Sequence, residues 1–490
     1  LREKSLLSLA AVAAFGGSLL APFQFDDFAL FTDPAITSPS GWWECWRLTQ
    51  TRPLTWFTFW LNYQLGGHQP FGYHAVNLAL HLGVVLLVWD TLRRLVSPRI
   101  ALAAAAIFAV HPIMTEPVAY VFARATLLAA LFSLLAIRSW IDGHHWAAVG
   151  WFTAAMLGKE ESAAIPVLLL LLPRPRPWRP LAAMFAVAAA LGLRVVWATG
   201  AISGSGAGAQ AGISAPAYLA SQGVVILRYL RLFVIPWGFS ADPDIARPPV
   251  WGAIVAWAAV AALCAILLWR SRAGYWFLAG VVLLAPSSSI FPAADLAADR
   301  RMYLAMAAFC ACAALLLDWL DRRVIVSIVI ALSGIAFYYT SLWRDPIKLW
   351  ANAVDRAPAK LRPRLQLARA TLPDQALALL DQAQRIAPDD PSVPAEQGRV
   401  LLLLHRPAEA LAAFGRALAL DPNDPRAINN RGAALLALGQ ADAARADFDR
   451  ALARDACMFD ARLNLLRLGL RTPASPVCRY TPEQAALLGE

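Results

Sequence analysis

Hydrophobic and polar positions follow two different rhythms along this chain, and the change between them falls near Trp343. Before it, apolar runs recur, the longer of them about 17 to 22 residues and long enough for a hydrocarbon core of roughly 30 Å. Taken at 6–21, 72–92, 100–110, 117–140, 146–157, 162–172, 181–198, 251–269, 275–286, 302–317 and 324–339, they predict about eleven membrane crossings. Arginine clusters sit beside several of them, at Arg93-Arg94, Arg174 to Arg179, Arg270 to Arg272 and Arg322-Arg323, and mark those loops as cytoplasmic. The run at 217–235 carries Arg228 and Arg231, each costing roughly 2.5 to 3.5 kcal/mol at a bilayer centre. It is therefore expected to be an interfacial or re-entrant helix. An odd number of crossings from an inside start places the tail outside, in the compartment of the first long loop.

After about residue 357 the pattern becomes polar, Ala-rich and helical, with a period of 34 residues: Pro388 and Pro422, Gly398 and Gly432, Ala410 and Ala444, Phe414 and Phe448, Ala417 and Ala451. Small residues let paired helices approach, Phe fills the space between them, and Pro closes the second helix. This pattern resembles tetratricopeptide repeats, with two clear copies, a degraded copy before them (Ala376, Leu380, Ala383) and a capping helix after Phe459. The expected architecture is all-α: a polytopic membrane helical bundle over residues 1–342, followed by an extracytoplasmic repeat α-solenoid over 343–490.

Composition agrees with the pattern. Hydrophobic residues make up 59% of the chain and charged residues only 16%, against roughly 25% charge in an average soluble domain. The formal charge of +10 is spread through membrane-flanking loops rather than gathered on one soluble face, so no nucleic-acid partner is expected. The six cysteines have no metal-ligand spacing. Cys457 and Cys478 are free to bond if the tail lies outside.

Candidate chemistry gathers in the outer loops. Asp26 and Asp27 follow the first apolar run, flanked by Phe23, Phe25 and Phe28, where burial would raise a carboxylate's pKa and make it a better base. Between Trp42 and Trp60 the Trp/Phe density fits a helix lying at headgroup depth. Arg52 and His74 are placed to meet a phosphate, while His81, two turns deeper, is expected to be a packed helix residue. The next cluster holds His111, Glu116 and Arg124, with Glu116 and Arg124 expected on one face of one helix. A third is Gly158-Lys159-Glu160-Glu161. The fourth holds Asp295, Asp299, Arg300, Arg301 and Tyr303, and its arginine pair breaks the charge rule by lying outside, which favours anion binding. No zinc-protease, nucleophile-elbow, P-loop or dinucleotide motif is present.

These stretches resemble the polytopic type C glycosyltransferases, and among them the transmembrane and tetratricopeptide-repeat O-mannosyltransferases and their bacterial relatives. The resemblance rests on FDDFALFTDPAI, TRPLTWFTFWLNYQLGG, FGYHAVNLALH, FAVHPIMTEPVAYVFARATLL, GKE, SSSIFPAADLAADRRMYLA and SLWRDPIKLWANAV, in that order before the repeats. It implies a type C glycosyltransferase fold, an acidic residue in the first extracytoplasmic loop and a sugar donor carried on a polyprenyl phosphate. Asp26-Asp27 then corresponds to the acidic motif, with Asp27 preferred over Asp26 as base. Arg52, His74, His111, Glu116, Arg124, Lys159, Arg300 and Arg301 match polar positions around the donor site.

The resulting expectation is an enzyme that moves one sugar, with inversion, from an undecaprenyl- or dolichyl-phosphate monosaccharide to a Ser/Thr hydroxyl of a protein held by the repeats. The Ala/Arg/Leu/Pro bias suggests a bacterial inner membrane, with site and repeats facing the periplasm. A divalent metal is left open. Two alternatives remain: a same-fold transferase acting on a lipid or cell-wall polymer, and a non-catalytic membrane scaffold with peptide-binding repeats.

Overall fold

The computed structural model describes residues 2–172, 177–201, 207–208, 211–470 and 478–489. Arg174 and Arg176 of the second arginine cluster, and 202–206 and 209–210 of the Gly/Ser/Ala loop, lie outside the described residues. The chain divides into two compact units. One comprises 1–27 and 40–345, the other 28–39 and 346–490. The sequence pattern placed a boundary near 343; it gave no sign that 28–39, the stretch directly after the acidic pair, groups with the repeats.

Among the described residues of the first unit, seven helices are long and apolar enough to cross a membrane: Arg2–Leu20, Pro70–Leu92, Val121–Ile141, Trp178–Gly200, Ala215–Val234, Val250–Arg270 and Arg322–Leu342. An eighth arises if Pro98–Val110 and Pro112–Ala119, bent by 51° at His111, are one span. The expected count of eleven is not reached because four of its members are short. The runs at 146–157, 162–172, 275–286 and 302–317 form helices of 14, 6, 12 and 12 residues, and 12 residues reach only about 18 Å. The tail's compartment is then not fixed by an odd number of crossings.

Ala215–Val234 is one continuous helix of 20 residues rather than a broken re-entrant segment. The cost that argued against a crossing is offset for Arg228, whose guanidinium pairs with the Asp299 carboxylate. The unit's core is largely Ala, Leu, Ile, Val and Phe, joining the Arg2–Phe15, Pro70–Leu92, Pro98–Val110, Arg124–Ile141 and Ala305–Leu316 helices.

The second unit is a run of antiparallel helix pairs. Ser392–Leu403 packs on Pro407–Leu420, and Pro425–Ala437 on Ala441–Arg454. Phe414 and Phe448 are buried between them. The reason for glycine opposite each Phe is spatial: a Cβ on Gly398 would lie 2.7 Å from the Phe414 ring, and one on Gly432 2.6 Å from that of Phe448. Ala376, Leu380 and Ala383 of the degraded copy are also buried, and Phe459–Arg467 packs after the last pair. A Cys457–Cys478 disulfide ties the following segment back.

Candidate functional site

The segment that leaves the first membrane helix makes a 3-10 turn, Phe25–Phe31. Phe25 enters it with φ +47°, a left-handed conformation that costs a bulky residue on the order of 1–3 kcal/mol and is characteristic of functional sites. Directly after it come Asp26, half-buried, and Asp27, buried. Asp27 is wholly buried, with Oδ2 accepting the Gln24 N–H at 2.9 Å and Oδ1 accepting the Phe122 N–H at 2.8 Å. Burial pushes its carboxyl up to about 8, against the pull of those two N–H groups and helped by the neighbouring Asp26. Asp27 thus holds its proton at neutral pH and pins the turn to the 120–124 segment. Asp26 is half-buried, and its Oδ2 accepts the Tyr120 hydroxyl at 2.8 Å.

Tyr120 connects the acid to the arginines. It caps the single helical turn Thr115–Ala119, its N–H bonded to the Glu116 carbonyl at 3.0 Å. The Glu116 side chain, at the other end of that turn, accepts the Arg300 N–H at 2.9 Å and pairs with the Arg300 guanidinium. One turn of helix therefore spaces Asp26 from Arg300. The fit depends on an i, i+4 pair, Glu116 and Tyr120, that the sequence displays but does not interpret.

Around Arg300 the other cations are ordered by carboxylates next to them in sequence or space. Arg52 makes a two-pronged pair with Glu160, at 3.1 and 2.7 Å. Lys159 meets Glu161 at 2.7 Å and the Thr126 hydroxyl at 2.8 Å. Burial works against the Glu160 charge, but Arg52 and Lys159 outweigh it and hold the carboxyl at about 2. For Lys159 burial wins: it lowers the ammonium pKa, with Arg52 and Arg300 adding to the effect against Glu161. Burial likewise opposes the charge on Arg300, and Glu116 more than restores it. Arg301 differs. Its guanidinium donates to the Tyr218 hydroxyl (3.1 Å) and to the carbonyls of Leu296 (3.2 Å) and Asp295 (2.9 Å), and among the described residues no carboxylate pairs with it.

Several expected contacts lie elsewhere. Glu116 and Arg124 do not share a helix: a 3-10 turn at Val121–Ala123 separates Thr115–Ala119 from Arg124–Ile141. Arg124 is fully buried, 4.4 Å over the Phe59 ring, and donates to Asn77 Oδ1 and the Thr58 and Tyr73 carbonyls, which makes it a brace. His111 caps the turn at the bend, with Nδ1 accepting the Ile113 N–H and Nε2 3.1 Å from the Phe233 carbonyl. Tyr303 is buried with its hydroxyl 2.8 Å from His81 Nδ1, so both belong to the core. His74 is also fully buried, with both ring nitrogens outside hydrogen-bond geometry although the Ala21 main chain approaches. The structure therefore gathers Asp26, Asp27, Arg52, Glu116, Lys159, Arg300 and Arg301, and removes His111, Arg124 and Tyr303 to supporting positions. Tyr120, Glu160, Glu161 and Tyr218 complete the site. No group of three or more His, Cys, Asp or Glu gathers as metal ligands would among the described residues.

Residues 413–446 match a model of the tetratricopeptide repeat. The chain is 34% identical over 205 residues to Protein O-mannosyl-transferase TMTC4 of Homo sapiens, which covers 33% of this chain and 28% of that protein. It is 42% identical over 127 residues to Protein O-mannosyl-transferase Tmtc1 of Drosophila melanogaster, covering 24% and 15%. The chain thus matches under a third of the length of these curated relatives. Among solved structures, the crystal structure of ArnT from Cupriavidus metallidurans bound to undecaprenyl phosphate aligns with TM-score 0.40 and 14% identity, covering 99% of this chain and 84% of that one. The chain is, on these findings, an all-α polytopic membrane protein with a tetratricopeptide repeat near its C-terminus, similar over about a third of its length to protein O-mannosyl-transferases.

Proposed function

We propose that the protein transfers one sugar, with inversion, from a polyprenyl-phosphate monosaccharide to a Ser/Thr hydroxyl of a protein on the extracytoplasmic side. The observation that carries the reading is the turn Glu116–Tyr120, which holds a half-exposed carboxylate, Asp26, and a cationic pair, Arg300-Arg301, at fixed separation. A transfer from a phosphate donor needs a base for the acceptor proton and cations for the leaving phosphate.

In this reading the acceptor hydroxyl loses its proton to Asp26 as its oxygen bonds to the anomeric carbon. The bond from that carbon to the phosphate oxygen breaks on the opposite face, and polyprenyl phosphate departs. Asp26 takes the base role expected of Asp27, because Asp27 is buried, protonated at neutral pH and occupied by two main-chain N–H groups. Arg301 is the cation left for phosphate, since the other three are held by Glu116, Glu160 and Glu161. No proton donor to the leaving group is required, so a second carboxylate at glycosidase spacing is not needed.

The names of the similar proteins support a protein acceptor. The Cys457–Cys478 disulfide supports an oxidising compartment for the repeats, as in a bacterial periplasm. We assign the repeats, 343–490, the task of holding the acceptor.

The test is mass spectrometry of proteins and lipids from cells carrying the wild-type gene, a deletion, Asp26→Asn and Asp27→Asn. A one-sugar mass shift on Ser/Thr peptides that disappears in the deletion and in Asp26→Asn supports the reading. The same shift on a lipid or polymer alone moves the acceptor, and its persistence in Asp26→Asn removes Asp26 as base.

A further inference from the structure

We propose that Gln222, completed by Ser288, reads the C2 hydroxyl of the donor sugar beside the phosphate on Arg301, and so sets which sugars the donor site accepts. The inference rests on the transfer reading above and adds two residues which that reading does not use. Tyr218 and Gln222 stand one turn apart on the Ala215–Val234 helix. The Tyr218 hydroxyl accepts Arg301 Nη1 at 3.1 Å and donates to the Ser287 carbonyl at 2.8 Å. One oxygen, the Leu296 carbonyl, accepts both Arg301 Nη1 and Gln222 Nε2, each at 3.2 Å. A carbonyl takes only a donor, so this bond fixes which way the Gln222 amide faces and leaves Oε1 as its remaining acceptor. Gln222 and Ser288, the residue after Ser287, are both buried. Neither Gln222 Oε1 nor Ser288 Oγ has a hydrogen-bond partner among the described residues. The adjoining side of the helix is held in place, because Trp257 Nε1 donates to the Leu219 carbonyl at 3.0 Å and a Cβ on Gly223 would lie 3.0 Å from the Trp257 ring.

A buried amide oxygen without a donor is costly, and a folded chain keeps one where something supplies that donor. Arg301 brings an anion to the same corner. With its bond to the Asp295 carbonyl it spends three of its five N–H groups on the protein, which leaves the others for phosphate oxygens. Gln222 Oε1 cannot bond those oxygens, since both partners would be acceptors; it needs an O–H that arrives with the phosphate. On a sugar joined to phosphate through its anomeric carbon, the nearest such group is the hydroxyl at C2. The acceptor's hydroxyl is not the partner, because inversion places it on the face opposite the phosphate. A C2 hydroxyl donates to Gln222 Oε1 and accepts from Ser288 Oγ, which satisfies both atoms at once. A 2-deoxy sugar leaves both unmet, and its rejection is expected to be about 10- to 100-fold, the effect of one lost bond to a buried group.

The experiment titrates the full chain in nanodiscs with undecaprenyl phosphate carrying glucose, mannose or the single 2-deoxy sugar that these two C2 epimers share, and with bare undecaprenyl phosphate. Bound lipid is read by native mass spectrometry. Wild type is expected to bind one of the two epimers about 10- to 100-fold more tightly than the 2-deoxy lipid. Gln222→Met is expected to erase that ratio while binding bare undecaprenyl phosphate as wild type does; a merely structural role, through the Leu296 bond, would weaken all four lipids alike and overturn the inference. Ser288→Ala is expected to lower the ratio by a smaller factor, and carries the test if melting shows that Gln222→Met does not fold. A wild-type ratio near one, or an unchanged ratio in the folded variants, overturns the inference and leaves the donor reading standing. Failure of wild type to bind any of the four removes the donor reading and this inference with it.

Discussion

The longest-range charged pairs of the membrane unit span far more of the chain than the pairs of the repeat unit, although the membrane unit also holds short-range pairs such as Arg93 with Asp90 and Lys159 with Glu161. In the repeats Arg406 meets Glu409 and Arg399 meets Glu396 across three residues, while Arg431 meets Asp447 across 16. In the membrane unit Arg52 meets Glu160 across 108 residues, Arg228 meets Asp299 across 71 and Arg300 meets Glu116 across 184. The pairs across three residues lie along one helix or at its start, and Arg431–Asp447 joins the two helices of one repeat. The long-range pairs of the membrane unit join distant segments where charge is expensive to bury, so each partner is obligatory once the other is present. Buried charge in the bundle is met either by a distant carboxylate, as at Arg300, or by neutral oxygens, as at Arg124 and Arg301.

The largest effect that can break this contrast is on turnover. Asp26→Asn is expected to lower transfer about 10²- to 10⁴-fold, the usual contribution of a general base, with little change in melting, whereas Asp27→Asn is expected to change folding and pH behaviour more than the chemical step. Single-turnover transfer beside scanning fluorimetry separates the two, and equal activity losses without a stability difference would remove the division of labour. Glu116→Gln leaves Arg300 charged without its partner and is expected to cost about 3 kcal/mol, read by thermal unfolding of the solubilised protein. Should Arg300→Gln together with Glu116→Gln prove no more stable than Glu116→Gln alone, the pair is not the source of that cost.

In the repeats, Gly432→Ala forces a Cβ against the Phe448 ring and is expected to cost about 1–3 kcal/mol, detectable as earlier proteolysis of the tail with the bundle intact. At the bottom of the scale, Arg406→Ala removes an exposed pair and is expected to leave the melting curve unchanged. A clear shift there would erase the difference between the two units.

A titration sharpens the same point. The Asp27 carboxyl has a folded-state pKa of about 8 against an ordinary 3.8. Between those values the unfolded chain has lost the proton that the folded chain retains, so stability falls as pH rises from about 4 to about 8 and levels above it. Asp27→Asn should lack this slope. Parallel curves for the two proteins across that window would place the ionised form in the folded state.

How much of this was legible depended on the range of the contact. The 34-residue period named the repeats, their buried Phe residues and the glycines beneath them, because helix pairing there is local and recurs. Apolar run length also named the membrane bundle. It overcounted crossings because an apolar run of 12 residues can be a short helix packed within the bundle as readily as part of a span. At the site, the sequence picked out Asp26-Asp27, Arg52, Lys159 and Arg300-Arg301 by their position beside membrane exits. It misplaced Arg124, His111 and Tyr303, since a polar side chain near the membrane edge can be satisfied by main-chain carbonyls that sequence does not display.

The sequence by itself determined the two kinds of helix, the period of the tail and the residue types available for acid and phosphate chemistry, because hydrophobic length and periodicity are local properties. Only the tertiary structure decided that Asp27 is buried while Asp26 is half-exposed, that Glu116 and Tyr120 span one turn between the acid and Arg300, and that 28–39 groups with the repeats. Those outcomes depend on which carboxylate meets the main-chain N–H of the distant Phe122 and on which distant segment supplies each ionic partner. Neither is encoded in a window of neighbouring residues.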